Sequence, residues 1–218
     1  MNDAVKKTLS DWGLQLDEAA AGRLLAFERA LREKNAVQNL VSAKDEPLLW
    51  ERHMLDSLAA VPPLRRLALP GGRLADAGSG AGFPGLPLAA VMPDRQFDLL
   101  ESRVKRCEFL AWAAAEAGCA NVTVGQRRVG EGGPGSERRY AAVTERAMGQ
   151  LENILPQCLN ILAGGGVFLA WQSAAQLAQR RPAVEAAVKK ARTRLEETFS
   201  YRLPGETESR HILVFRKS

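Results

Sequence analysis

Asp76-Ala77-Gly78-Ser79-Gly80-Ala81-Gly82-Phe83-Pro84-Gly85 is the stretch on which the fold turns. It follows the short apolar run Leu74-Ala75 and opens onto Leu86-Pro87-Leu88-Ala89-Ala90-Val91, which reads as a helix. A strand, a carboxylate and a glycine turn feeding a helix make a nucleotide pocket in doubly wound sheets. Lacking Cβ, the glycines allow positive φ and let a ligand approach the main chain closely. Pro84 suits a first helical turn, where its missing N–H costs nothing.

Outward from this turn, strand and helix patterns alternate. Strands are predicted at Leu74–Ala77, Phe97–Glu101, Val122–Gly125, Tyr140–Thr144 and Val167–Trp171, with helices over 84–92, 103–117, 149–162 and 173–190 between them. That alternation implies a mostly parallel sheet with right-handed crossovers. Glu197–Leu203 and His211–Arg216 lack an intervening helix and flank Pro204-Gly205, so they read as an antiparallel hairpin on the sheet edge. Gly130-Glu131-Gly132-Gly133-Pro134-Gly135-Ser136 reads as a flexible loop near the ligand end. Upstream, Asp17 is placed to cap a helix bearing Ala20, Leu24, Phe27 and Leu31. A second helix is predicted from Asp45, with Trp50, Met54, Leu58 and Val61 on one stripe and Pro62-Pro63 ending it. Residues 1–65 are expected to form a helical cap, and residues 66–218 the nucleotide-binding domain.

The glycine turn satisfies two patterns at once. Gly80-x-Gly82-x-x-Gly85 fits the dinucleotide fingerprint. The same residues fit Asp-x-Gly-x-Gly-x-Gly, the loop of S-adenosylmethionine methyltransferases. That cofactor carries a cationic sulfonium and ammonium and no phosphate, so Asp76 suits it and would repel pyrophosphate. Glu101, closing the next strand, is placed to accept ribose hydroxyls. Two acids around one glycine loop favour S-adenosylmethionine over a nicotinamide dinucleotide.

Composition sets the outer bounds. The 218 residues suffice for one α/β domain with a small appendage, and 46% hydrophobic and 25% charged residues are ordinary globular values. An excess of 30 Lys and Arg over 25 Asp and Glu, net +5, permits a polyanionic partner. Cys107, Cys119 and Cys158 form no CxxC pair and are expected to be reduced and buried, as in cytoplasm. Neither a signal peptide nor a membrane span is read, and no metal site.

The chain resembles the small-subunit ribosomal RNA methyltransferase G family, formerly glucose-inhibited division protein B. The resemblance rests on Asn39-Leu40, Arg52-His53-x-x-Asp56-Ser57-Leu58 and the glycine turn. Beyond them it rests on Glu101-Ser102, Lys105-Arg106-x-x-Phe109-Leu110, Asn121-Val122 and Thr144-x-Arg146-Ala147. It implies a class I, Rossmann-like methyltransferase fold: a seven-stranded sheet with a C-terminal antiparallel hairpin and an N-terminal helical extension. It further implies transfer of methyl from S-adenosylmethionine to guanine N7 in the 530-loop region of 16S ribosomal RNA, by a cytoplasmic protein expected to be monomeric. Carried over by motif position, the cofactor residues are Gly78, Phe83, Val129, Gly130 and Arg146, joined by Asp76, Gly80 and Glu101 from the reading above. Two departures stand out: Arg128-Val129-Gly130 replaces the family's Arg-x-Glu, and Trp171-Gln172 stands where the family often has Lys-Gly.

Methylating N7 removes no proton, so no general base is needed and no catalytic residue is named. Arg52, His53, Arg127, Arg128, Arg138 and Arg139 are the candidate RNA contacts. Arg52 and His53 lie one turn from Asp56, a spacing that also fits a plain helix ion pair. A nicotinamide-dependent dehydrogenase and a non-catalytic RNA-binding relative are the alternatives.

Overall fold

The computed structural model describes residues 1–131 and 140–217. Arg138 and Arg139, and the expected loop from Gly132 to Ser136, lie outside the described residues.

The chain opens with α1 (Asp3–Asp11) and α2 (Glu18–Gln38). The Asp17 carboxylate accepts from Ala20 N at 2.6 Å, so α2 starts at the cap expected of it, and Asn39 ends it in left-handed backbone. The predicted second helix is broken up. A 3₁₀ turn (Glu46–Leu48) leads into a π-helical turn (Trp50–Met54), then α3 (Leu55–Leu58) and α4 (Val61–Leu67). Pro62 and Pro63 sit in the first turn of α4 instead of ending the helix before it, because the first turn needs no backbone donor.

From β1 (Leu74–Ala77) the alternation follows as expected: α5 (Gly85–Val91), β2 (Phe97–Glu101), α6 (Val104–Glu116), β3 (Val122–Gln126), β4 (Tyr140–Glu145), α7 (Leu151–Ile161), β5 (Leu162–Ser173) and α8 (Ala174–Lys190). The hairpin of β6 (Arg194–Tyr201) and β7 (Arg210–Arg216) completes it. The seven strands lie in the order β3-β2-β1-β4-β5-β7-β6, with β1 to β5 parallel and β7 antiparallel to both neighbours. Every residue of β1, β2 and β4 is buried, as strands covered on both faces must be. Pro84 stands one residue before α5 as its N-cap, joined to Phe83 by a cis bond.

One apolar cluster joins Leu24, Phe27, Met54 and Leu58 of the N-terminal helices to Leu74, Phe97 and Leu169 of the sheet. A second, including Val143, Phe168, Leu155 and Cys158, fills the opposite face beneath α7. Cys119 and Cys158 are buried and Cys107 half-buried, all three as free thiols. No described helix is long and apolar enough to cross a membrane. Strand order reverses between β1 and β4, so the loops leaving their carboxyl ends diverge and open a crevice there.

Candidate functional site

The turn after β1 runs through left-handed backbone at Gly78 (φ +68°), Gly80 (+55°) and Gly82 (+94°). Gly78 and Ser79 both donate to the Leu100 carbonyl, at 2.8 and 3.1 Å, which ties the turn to β2. A Cβ on Gly78 would lie 2.9 Å from Met148 Cγ, and one on Gly82 would lie 3.0 Å from Phe27 Cζ. At Gly80 it would make only ordinary contacts, with Arg106 Nη1 at 3.6 Å and the Gly78 carbonyl at 3.7 Å.

Glu101 clasps this turn. Its Oε2 accepts from Gly80 N at 3.1 Å, and its Oε1 from Ser102 N and Arg103 N at 2.8 and 2.9 Å. Asp76 differs from expectation. β1 is central and covered on both faces, so this carboxylate ends inside the protein, accepting from Gly85 N at 3.1 Å and Thr144 Oγ1 at 2.9 Å. Burial pushes its pKa up to about 6. It braces the turn from below and is absent from the cavity walls.

Two cavities adjoin. The smaller, about 230 Å³, lies over the turn between Gly78, Gly80, Phe83 and Arg106 and the segment Leu40-Val41-Ser42 after α2. The larger, about 690 Å³, lies off the ends of β4 and β5, walled by Arg52, Asp56, Glu145, Trp171, Tyr201 and Arg210. Asp45, His53, Arg146 and Ala147 belong to both walls.

Arg146 organises that junction. Its Nη1 donates to Asp56 Oδ2 at 2.9 Å, its Nη2 stands 3.0 Å from His53 Nδ1, and its guanidinium lies 5.0 Å from the Phe83 ring centroid. His53 stacks on Phe83 at 5.1 Å, so the glycine turn and the π-helical turn Trp50–Met54 meet through two rings. Burial, reinforced by the Arg146 charge, brings the His53 pKa down to about 4 and keeps the ring neutral at pH 7. Because Arg146 can only donate, Nδ1 accepts and the proton belongs on Nε2.

Asp56 is 2% exposed. Besides Arg146 it accepts from Tyr201 Oη at 2.5 Å and Arg210 Nη1 at 3.2 Å, and its main-chain carbonyl accepts from Trp171 Nε1 at 2.9 Å. The helix ion pair allowed by its spacing does not form: Arg52 turns instead to Asp45 at 2.9 Å, and the π-helical winding at Trp50–Met54 separates the two side chains.

Other candidates lie apart. Val129 is buried in the core beneath α7, and Gly130 (φ +89°) packs on Gln157; neither lines these cavities. Arg127 donates to Tyr140 Oη at 3.1 Å, which donates in turn to Asp98 at 2.8 Å. Arg128 is exposed beside Glu131 at 3.2 Å. Sequence reading missed Glu145, Tyr201 and Arg210. The first directly precedes Arg146 in the Thr144-x-Arg146-Ala147 stretch, but the other two come from a hairpin that carries no quoted motif.

Comparison with known proteins fits this arrangement. A family model described as rRNA small subunit methyltransferase G matches residues 21–213. The curated ribosomal RNA small subunit methyltransferase G of Cellvibrio japonicus is 33% identical, over 99% of this chain and 97% of its own. That of Halorhodospira halophila is 40% identical over 76% of each chain. Among solved structures, magnesium protoporphyrin IX methyltransferase of Synechocystis with bound S-adenosylmethionine superposes with a TM-score of 0.63 at 13% identity, covering 88% of this chain and 97% of its own. The CcbJ methyltransferase of Streptomyces caelestis gives 0.58 at 16% identity, over 75% and 95%. At such identities these two establish a shared fold. Family model and curated relatives together place the chain in the ribosomal RNA small subunit methyltransferase G family.

Proposed function

We propose that this protein transfers a methyl group from S-adenosylmethionine to N7 of a guanine in the 530-loop region of 16S ribosomal RNA. The observation that carries the reading is the meeting of two cavities at His53 and Arg146, one over a glycine turn and one off β4 and β5. The residues fit the cofactor. Gly80 lines the smaller cavity, and Glu101, which holds the turn through Gly80 N from the end of β2 but is absent from both cavity walls, is the acid we assign to the ribose hydroxyls. Gly78, Gly80, Phe83, Glu101 and Arg146 would hold it, with Asp76 supporting the turn from below. When bound, S-adenosylmethionine supplies an electrophilic methyl group on a cationic sulfur.

The chain itself supplies placement. N7 has a free lone pair and loses no proton on methylation, so the site needs no base. Holding two reactants in line is worth up to roughly 7–11 kcal/mol in favourable cases. Arg146 and His53, fixed by Asp56 and Phe83, form the wall against which a base is held. Residues 1–65 act as a cap over this mouth, and Arg52 and Arg128 offer charge to RNA phosphates. We assign the protein to the cytoplasm, as a monomer acting on RNA or on the small ribosomal subunit.

The test uses small subunits from a strain deleted for this protein. Purified protein and labelled S-adenosylmethionine should place label at N7 of one guanine, mapped by chemical cleavage at 7-methylguanine. Stabilisation by NAD with no transfer would favour the dehydrogenase alternative; RNA binding with no transfer would favour a non-catalytic role.

A further inference from the structure

Two buried polar atoms in these walls have no hydrogen-bond partner among the described residues: His53 Nε2 and Glu145 Oε2. A buried donor or acceptor left unmade costs free energy, so an orphan in a cavity wall points to a ligand that completes it. Glu145 is 1% exposed and lies at the end of β4 in the wall of the larger cavity. Its Oε1 accepts from Met148 N at 2.5 Å, while Oε2 is unused. Gln172 in the same wall does not satisfy it, since its Nε2 donates to the Trp171 carbonyl at 2.7 Å.

His53 provides the complementary group. Its Nδ1 faces Arg146, leaving Nε2–H as a donor, and its ring lines both cavities against Phe83. The wall thus presents one donor beside the glycine turn and one acceptor farther along, in the larger cavity.

We propose that His53 and Glu145 read the target base, Nε2–H of His53 donating to a purine 6-oxo group and Oε2 of Glu145 accepting from N1–H and the 2-amino group. This assignment rests on the guanine-N7 reading of the site. Around a guanine ring N7, O6, N1 and the 2-amino nitrogen follow in order. A base that turns N7 toward the glycine turn therefore carries O6 past His53 and N1–H on toward Glu145. Adenine inverts the pattern, with a donor at C6 and an acceptor at N1, and would set N1 against a carboxylate. Sites built to hydrogen-bond a polar group reject analogues lacking it far better than apolar pockets do.

Direct binding separates this idea from the reading it rests on. Equilibrium dialysis with S-adenosylhomocysteine present compares GMP, which offers both donors, IMP, which lacks the 2-amino group, and AMP, which lacks both. Wild-type protein should prefer GMP to IMP by roughly fivefold or more, and IMP to AMP by at least as much. Glu145→Gln should shrink the GMP-to-IMP ratio toward one with S-adenosylhomocysteine affinity unchanged, and Glu145→Ala repeats the comparison with no amide left to substitute. His53→Phe, which keeps the stack on Phe83, should weaken GMP and IMP alike. Equal binding of the three nucleotides by wild type, no binding of any, or an unchanged GMP-to-IMP ratio in both Glu145 variants overturns the assignment. Failure of the parent reading looks different: wild-type protein that leaves small subunits unmethylated whatever its nucleotide preference.

Discussion

Arg146 reaches Asp56 across 90 residues of chain, closing a 2.9 Å ion pair between the end of β4 and α3. Both partners are largely buried, and the same carboxylate also receives Tyr201 and Arg210 from the terminal hairpin. Three distant segments therefore converge on one acid. A buried carboxylate is tolerated when its oxygens are fully used, and Asp56 meets that condition with two cations and a phenol. The pair also sets the direction of the guanidinium, whose other nitrogen faces His53.

Removing one partner of such a cluster leaves the others charged and buried. Asp56→Ala should cost about 3–5 kcal/mol of unfolding free energy, the range for breaking a buried ion pair. Denaturant unfolding at neutral pH measures it. A loss below about 1 kcal/mol would show that Arg146 and Arg210 find water or other acceptors, and that the cluster is not structural.

The glycine turn predicts a sharp contrast between neighbours. At Gly80 a side chain makes only ordinary contacts on strained backbone at the edge of the smaller cavity, so Gly80→Val should fold and lose cofactor affinity. At Gly82 it would strike Phe27 and Leu86 in the core, so Gly82→Val should lose stability first. Calorimetric titration with S-adenosylmethionine, paired with circular dichroism, distinguishes the two. Native-like Gly80→Val with unchanged affinity would falsify the placement of the cofactor over this turn.

Much of this architecture was legible because it is local. β1 and β2 fall at their predicted bounds, β3 and β4 extend one residue beyond theirs, and α5 to α8 follow the predicted stretches, since buried parallel strands leave continuous apolar runs that glycine and proline punctuate. Pro62-Pro63 misled because proline both ends helices and starts them, and spacing alone does not choose. Arg52 and Asp56 misled because i, i+4 logic assumes α-helical winding, which the π turn breaks. Asp76 read as a ligand contact because sequence shows a carboxylate before the turn but not which way it points. Tyr201 and Arg210 were invisible: their role exists only once the hairpin folds back beside β5.

Charge at the surface should govern RNA association. Arg128 is exposed and, among the described residues, pairs with Glu131, whereas Arg127 is engaged with Tyr140. Arg128→Ala should flatten the salt dependence of RNA binding by roughly 0.7 in log–log slope per lost single-strand phosphate contact. Arg127→Ala should chiefly lower the melting temperature. Identical salt slopes for wild type and Arg128→Ala would remove that arginine from the interface.

Two buried carboxyls and the half-buried His53 give stability a composite pH dependence. Burial raises Asp76 to about 6 and Glu145 to about 7, so folding favours their protonated forms. Their contribution is complete below the ordinary carboxylate range and is lost as pH rises through those values. His53, brought down to about 4, works oppositely: its contribution is present above the ordinary imidazole value and is lost as pH falls toward 4. Glu145 faces Asp76 from β1, Arg146 beside it and Cys158 from α7. Glu145→Gln should therefore be more stable than wild type at pH 8, by up to about 3 kcal/mol at the usual 1.36 kcal/mol per pKa unit, with the advantage gone near pH 4. Melting curves across that range check it; a constant difference would mean Glu145 does not titrate.

Chemistry at N7 sets the last expectation, because it separates binding from transfer. No proton leaves the acceptor, so single-turnover transfer at saturating RNA should be nearly flat between about pH 6 and 9, where a general-base enzyme would show a limb governed by its base. His53 is the histidine at the junction of the cavities, yet burial and Arg146 keep it neutral throughout that range, so it has no titration there to impose. His53→Asn should weaken the hold on RNA and leave the flat profile flat. Glu145 titrates inside the window, and by accepting from the base its ionised form should help binding; under subsaturating RNA the rate should therefore rise up to about pH 7 and then level. Rapid-quench transfer from labelled S-adenosylmethionine, run at both RNA concentrations, reads the two behaviours apart. A rise with pH that persists at saturation and disappears in His53→Asn would overturn the base-free mechanism and require an acceptor atom that carries a proton.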